Sequence, residues 1–140
     1  MDVFHQAASG RRKEILKVIK DLLYAEPSII FSFVFGSFLD GIAFRDIDVG
    51  IFVTPVRPRF LIDFELELSS RVEEALPRYF RVDIKVINSA PLPFRFNVIR
   101  GKLLFSRDDR LLDEFIVSTV RQYIDFAPVR TRYLKEALLS

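Results

Sequence analysis

The sequence contains no cysteine and no tryptophan, and its only histidine is His5. Without cysteine the chain can form neither a disulfide framework nor a thiolate metal site. A single histidine in a polar N-terminal stretch almost excludes a histidine-based catalytic triad or zinc site. Any chemistry must therefore depend on carboxylates, hydroxyls and backbone amides.

Long uncharged apolar runs and a marked excess of one charge are also missing. No segment offers the roughly 18 apolar residues of a membrane span, and the N-terminus lacks the apolar stretch of a signal peptide. We therefore expect a cytoplasmic protein with no membrane association. The 21 Lys and Arg residues against 19 Asp and Glu residues give a formal net charge of only +2. Direct nucleic acid binding is not expected from so small an excess.

The length and composition predict a single globular domain over residues 1–140. Half of the 140 residues are hydrophobic and 29% are charged, which is typical of a folded chain with one core. We expect a core over about residues 11–105 and a C-terminal helical part over about 106–140.

The hydrophobic pattern alternates between helical and strand periods. It predicts helices at 11–25 and 61–76, strands at 28–35, 46–53, 81–87 and 102–105, a short turn or helix after residue 90, and a long last helix. Ser106 and Asp109 predict a capping box for that helix, which Pro128 is expected to kink or break. This order predicts an α/β (α+β) fold, with helices packed on a small mixed sheet.

Two of the predicted strands carry acids on one face. In the segment RDIDVGIFV, Asp46 and Asp48 alternate with apolar residues, and Asp83 alternates in the same way in RVDIKV. If the two strands are neighbours in register, the three carboxylates share one face. Such a group repels unless protons or cations compensate, and Mg²⁺ is bound by carboxylate oxygens, waters and substrate phosphates. The pattern therefore indicates a magnesium site.

A phosphate site is predicted beside these acids. Gly36 and Ser37 follow a buried strand and precede a segment that could open a short helix. Glycine allows close approach of the backbone, and free amides at a helix start favour an anion. Mg²⁺ and a nucleoside triphosphate would then lie on the face of Asp46 and Asp48. The alternative is a turn glycine beside a solvated strand end, with Asp83 in a surface ion pair with Arg81 or Lys85.

These residues resemble a known family. Gly36-Ser37, then Asp46-Ile47-Asp48 and a later lone Asp83, are similar to the minimal nucleotidyltransferases (MNT) of the DNA polymerase β-like superfamily. The stretches VDIKVINSAPLPFRFNVIRGKLLFSRD and YIDFAP extend the resemblance to MNT proteins that are encoded beside a HEPN toxin. It covers about residues 30–128.

The resemblance implies a polymerase β-like fold and a Mg²⁺-dependent transfer of AMP from ATP. The acceptor would be a hydroxyl, of tyrosine in several relatives, on a HEPN-type toxin, so that the chain acts as an antitoxin. Gly36 and Ser37 would bind the triphosphate, while Asp46 and Asp48 bind metal. Asp83 would be the third metal-binding acid and would deprotonate or orient the attacking hydroxyl.

Two features depart from the family pattern. Only eight residues separate Ser37 from Asp46, fewer than in the family's commonest form, and Arg45 replaces the usual serine before the acid pair. These departures leave a second hypothesis open, in which a weakly active or inactive module masks its partner with the last helix, through Phe115 and Ile116. Self-association through that helix is a further alternative. Transfer to a small molecule and RNA tailing are disfavoured, because the chain has no room for an additional substrate domain.

Overall fold

A computed structural model of the chain describes residues 2–38, 46–77 and 80–139. It contains four α-helices and four β-strands among these residues. In chain order they are α1 (Asp2–Tyr24), β1 (Ile29–Phe35), β2 (Asp46–Val53), α2 (Leu61–Glu74), β3 (Arg81–Val86), α3 (Leu92–Ile99), β4 (Lys102–Ser106) and α4 (Asp109–Leu139), with short 3₁₀ turns at Gly36–Phe38 and Pro58–Phe60. The predicted α/β organisation is confirmed.

The strands form one mixed sheet in the order β3-β2-β1-β4. Strand β1 is antiparallel to both β2 and β4, whereas β2 and β3 are parallel. The central position of β1 explains why the segment IIFSFVF is apolar on both faces, since helices cover each side.

Two apolar layers sandwich the sheet. On one face, Ile47, Val49 and Ile51 of β2 pack with residues of α1 and α2 in a buried cluster. On the other face, the aromatic residues of β1 pack with α3 and α4 in a second cluster, which includes Phe31 and Phe115. The alternation of β2 therefore directs Asp46 and Asp48 to the side of the sheet on which α3 and α4 pack.

Side chains of α2 accept hydrogen bonds from the backbone amides along the outer edge of β3. Glu65, Ser69 and Glu73, which are four residues apart on one helix face, accept hydrogen bonds from the backbone amides of Val86, Ile84 and Val82 at 2.8, 3.2 and 2.8 Å. An open strand edge would otherwise leave these amides without a protein partner. This contact fixes β3, and with it the height at which Asp83 lies beside β2.

Two helix starts differ from the prediction. Helix α1 already begins at Asp2, and α4 is capped by Asp108, whose Oδ1 accepts from the amides of Arg110 and Leu111 at 3.1 and 3.2 Å. The predicted capping box at Ser106 is wrong, because Ser106 is paired with Phe31 in the sheet.

Helix α4 also continues through Pro128 without a break. Proline has a helical φ, so it removes one hydrogen bond and crowds the preceding turn without forcing the chain out of the helix. No helix in the described part of the chain is long and apolar enough to cross a membrane.

Candidate active site

The parallel pairing of β2 with β3 brings the predicted acids to one place. Asp48 lies directly opposite Asp83, and Asp46 lies opposite Arg81. Residues at alternate positions of a strand, and residues directly opposite each other, point to the same side of a sheet. The two strands are thus neighbours in register, which was the condition for a shared acid face, and the three carboxylates share one face at the start of β2 and β3.

Asp48 is the acid whose ionisation this arrangement opposes. It is half-buried, whereas Asp46 and Asp83 are exposed. Its pKa is raised above the ordinary value of 3.8, first because partial burial removes water from the carboxylate, and then because Asp83 and Asp46 repel its charge. A cation at this face would favour the ionised form of Asp48 and offset the repulsion between the carboxylates.

Gly36 brings the end of β1 against the Asp48 carboxylate. Phe35, the last residue of β1, pairs with Asp48, and Gly36 turns away with φ of +83°. A β-carbon at Gly36 would lie 2.7 Å from Asp48 Oδ2. Only glycine combines this conformation with this approach, so the Gly-Ser segment and the acid pair are in direct contact.

Ser37, the second residue predicted to bind phosphate, comes directly after Gly36 in the chain. Ser37 lies in the 3₁₀ turn Gly36–Phe38, which the buried ring of Phe38 anchors in the core. Arg45, which departs from the family pattern, lies outside the described residues.

Asp83 also has a basic neighbour. Lys85 Nζ lies 3.7 Å from Asp83 Oδ1, and both side chains are at least half exposed. An exposed pair contributes about 0–1 kcal/mol. The ion-pair alternative for Asp83 therefore has a contact to support it, but one too weak to hold the carboxylate against a stronger competing cation.

The acids present the ligand chemistry that Mg²⁺ requires but not a complete ligand set. Within residues 2–38, 46–77 and 80–139, no three acidic or histidine side chains are close enough to form a preassembled metal cluster. Mg²⁺ commonly uses one or two carboxylates and takes its other ligands from water and substrate phosphates, so the residues fit this ion.

Helix α3 bounds the site on the side toward the middle of the sheet, which sequence reasoning missed. A β-carbon at Gly50 would lie 2.9 Å from Val98 Cγ1 and 3.0 Å from Ile87 Cγ2. The missing side chain therefore lets α3 approach β2 two residues beyond Asp48. The sequence did contain an indication of this close approach, because Gly50 lies on the same face of the strand as Asp46 and Asp48.

A cleft lies elsewhere in the described part of the chain. It has a volume of about 310 Å³ and is lined by Val53, Arg57, Phe60 and neighbouring residues. Because Val53 ends β2 and Asp48 lies near its start, this cleft is at the opposite end of the strand from the acids. It plays no part in the candidate active site.

Solved toxin–antitoxin structures share this fold. The chain is similar to a component of the MntA–HepT pair, with 19% identity and a TM-score of 0.68 over 90% of this chain and 98% of that one. It resembles a toxin–antitoxin structure with AMP-PNP, with 21% identity and a TM-score of 0.70 over 88% and 98%.

A third similar structure is a tri-AMPylated Shewanella oneidensis HEPN toxin in complex with an MNT antitoxin. Here the identity is 19% and the TM-score 0.63, over 94% of this chain and 98% of the other. At these identities the similarity establishes the fold.

The sequence itself identifies the family. No curated protein matches the chain significantly. The family described as "Polymerase beta, Nucleotidyltransferase" matches residues 17–110, a range that contains the Gly-Ser turn and all three acids. The chain therefore belongs to the polymerase β nucleotidyltransferase family.

Proposed function

We propose that this nucleotidyltransferase uses Mg²⁺ to transfer AMP from ATP to a tyrosine hydroxyl of a HEPN-type toxin, and that it acts as an antitoxin in the cytoplasm. The observation that carries the proposal is the contact of Gly36 with Asp48, beside Asp83 on the neighbouring strand. It joins a turn suited to phosphates to three carboxylates that share one face of the sheet.

The metal would be held by Asp46 and Asp48, with Asp83 as a third ligand. When bound, Mg²⁺ neutralises charge on the phosphates and orients the reacting oxygens. The raised pKa of Asp48 supports this assignment, because a cation would offset the repulsion from Asp83 and Asp46 that contributes to it.

The triphosphate would lie along the turn Gly36–Phe38. Gly36 leaves no side chain between this turn and Asp48, so phosphate oxygens can approach the backbone and the acid pair together. Backbone amides of such a turn can donate to an anion. In this arrangement Gly36 and Ser37 position the α-phosphate near Asp48.

Asp83 is proposed to assist the acceptor. A hydroxyl oxygen forms a bond to the α-phosphorus of ATP, the bond from this phosphorus to the α–β bridging oxygen breaks, and pyrophosphate leaves. The hydroxyl proton passes to the Asp83 carboxylate, which is exposed and therefore accessible to a protein substrate. Lys85, 3.7 Å away, is an exposed and weakly bound neighbour that leaves Asp83 free to meet the acceptor.

The choice of acceptor rests on the similar structures. One of them contains a HEPN toxin that carries AMP groups together with its MNT antitoxin, and another contains AMP-PNP. Both come from proteins of the same fold that are almost completely matched in length. They support AMP as the transferred group and a HEPN-type protein as the acceptor.

A second candidate is a masking module that neutralises its partner by binding alone. The observation that favours it is the exposure of Ile124, Val129, Tyr133 and Leu138 on α4. Masking predicts that neutralisation survives the loss of Asp46 and Asp48, whereas AMP transfer predicts that it does not.

The experiment compares α-labelled with γ-labelled ATP in an extract of the host, with Mg²⁺ and the full chain. Nucleotidyl transfer places the α-label on a protein acceptor and leaves the γ-label in pyrophosphate. Asp83→Asn should reduce the rate by about 10²–10⁴, the range for loss of a general base. Incorporation of the γ-label that depends on the added chain would contradict the proposal, because it indicates phosphoryl transfer by this protein.

A further inference from the structure

The second half of α4 is apolar but exposed. We call residues 121–138 its distal segment. Within it, Ile124 is 61% exposed, Tyr133 70% and Leu138 83%, and Phe126, Val129 and Leu134 are also exposed. Apolar side chains concentrated in this way on one helix mark a binding surface.

The side of α4 that packs on the sheet continues into this segment. Positions at alternating four- and three-residue spacing follow one side of a helix. From Phe115 this series runs through Thr119, Gln122, Phe126, Val129 and Tyr133. Its first two members are buried in the domain and its last three are exposed. The helix thus carries its packing side past the part of the domain that covers it.

A second apolar stripe lies on another side. Val117, Ile124 and Leu138 are seven or fourteen residues apart, and Leu134 lies one turn before Leu138. All four are exposed. The distal segment therefore offers two apolar sides, as expected of a helix that inserts into a groove rather than one that lies on a flat surface.

The exposed area of the whole chain agrees with a missing partner. The accessible surface is 9244 Å² for a mass of 16.3 kDa. A compact monomer of this mass exposes roughly 7,500 Å². The excess is larger than the roughly 800 Å² that each partner contributes to a standard interface.

The charge of the segment selects the kind of partner. Arg121, Arg130, Arg132 and Lys135 outnumber Asp125 and Glu136. Arg130 is engaged by the hydroxyl and ring of Tyr123 within the helix. Two copies of this helix would bring basic side chains together, which opposes self-pairing. An apolar groove bordered by carboxylates is the complementary surface.

We infer that the distal segment of α4 is the docking surface for the acceptor protein, which presents an apolar groove with an acidic rim. This inference rests on the proposed function for the identity of the partner. Docking through α4 holds the acceptor on the enzyme while its hydroxyl reaches Asp48 and Asp83, and it raises the effective concentration of that hydroxyl.

Single charges introduced on the surface test the inference. Tyr133→Glu and Leu134→Glu alter exposed side chains of the distal segment and should leave the domain folded. Ile62→Glu is the matched control, because Ile62 is 70% exposed on α2, as is Tyr133 on α4. The readouts are label transfer from α-labelled ATP to the acceptor in a host extract, and affinity for a fluorescent ATP analogue.

We expect Tyr133→Glu and Leu134→Glu to lower acceptor labelling at least about tenfold, while affinity for the ATP analogue and labelling by Ile62→Glu remain at the wild-type level. Arg132→Glu should weaken labelling in the same direction. Equal labelling by all variants would overturn the docking role and leave the proposed function intact.

Two other outcomes also decide the matter. Wild-type protein that dimerises in solution, with dimerisation lost and labelling retained in Tyr133→Glu, would assign the surface to a second copy and overturn the inference. Absence of any labelled protein with the wild type would contradict the proposed function, and the acceptor-docking role with it.

Discussion

The α-carbon of Gly36 lies against the carboxylate of Asp48, so closely that a β-carbon would approach Oδ2 to 2.7 Å. Two residues that are twelve positions apart in the chain therefore form one surface at the end of the sheet. Two local properties of Gly36 allow this contact, namely its positive φ and its lack of a β-carbon. Substitution of Gly36 with and without the Asp48 carboxylate separates their contributions to stability.

Gly36→Ala should destabilise the fold by about 1–3 kcal/mol, because alanine at φ of +83° is strained and its methyl group meets Asp48. Chemical denaturation measures the change. In an Asp48→Ala background the same substitution should cost less, since only the backbone strain remains. Equal costs in both backgrounds would show that the two residues are not in contact.

Asp48→Asn should stabilise the protein near neutral pH. The pKa of Asp48 is raised in the folded state, so ionisation of this carboxyl opposes folding. Wild-type stability therefore falls, relative to the asparagine variant, as pH rises above the ordinary value of 3.8 and through the raised pKa. Below that value the carboxyl is protonated in both states, and the difference should vanish.

Thermal melts of both proteins from acid to neutral pH measure this effect. Asp125→Asn, at an exposed position of α4, serves as the control for removal of one negative charge. A difference between wild type and Asp48→Asn that is constant with pH, or largest in acid, would contradict the electrostatic account.

Glu73→Ala should destabilise β3 by about 1–3 kcal/mol, because the amide of Val82 loses its 2.8 Å acceptor. Glu74→Ala, at the next and exposed position of α2, should have little effect. Hydrogen exchange of the Val82 amide should accelerate in the first variant only. Equal protection in the two variants would mean that the contact between α2 and β3 does not secure the edge.

Introducing a negative charge should destabilise the fold at Phe115 but not at Ile124. Phe115 is buried against Phe31 and Phe52, so Phe115→Asp should unfold the domain or cost more than the roughly 3–5 kcal/mol of a Phe→Ala change. Ile124→Asp, at an exposed position, should leave the melting temperature nearly unchanged. Comparable melting temperatures for the two variants would contradict this placement of α4.

The burial of Phe115 in the structure corrects the sequence hypothesis that Phe115 and Ile116 contact a partner. Helical periodicity identified the apolar side of α4 correctly, but it could not show where the domain stops covering that side. Phe115 lies in the covered half, and Ile116 packs against the same cluster. On that side of the helix the exposed apolar residues, Phe126, Val129 and Tyr133, lie farther along.

The strand pattern predicted where the three acids lie but not which helix packs beside them. Alternation placed Asp46, Asp48 and Asp83 on acid-bearing faces, and the parallel register then brought two of them opposite each other. The approach of α3 to Gly50 depends on packing between distant segments, which periodicity does not report.

The capping prediction failed for a local reason. Ser106 and Asp109 have the spacing of a capping box, but Ser106 is required in the sheet beside Phe31. Asp108, which is outside the strand, accepts the helix amides instead. Strand pairing therefore decided between two capping sequences that differ little in intrinsic preference.

The most direct test is label transfer from α-labelled ATP to a protein acceptor by wild type and Asp48→Asn, with Mg²⁺ or with a chelator. The account predicts a labelled band with wild type and Mg²⁺, which the chelator abolishes. Asp48→Asn should reduce it by about three orders of magnitude, since metal-dependent charge stabilisation is worth several kcal/mol. Undiminished labelling by folded Asp48→Asn, or by wild type in the chelator, would contradict the central claim.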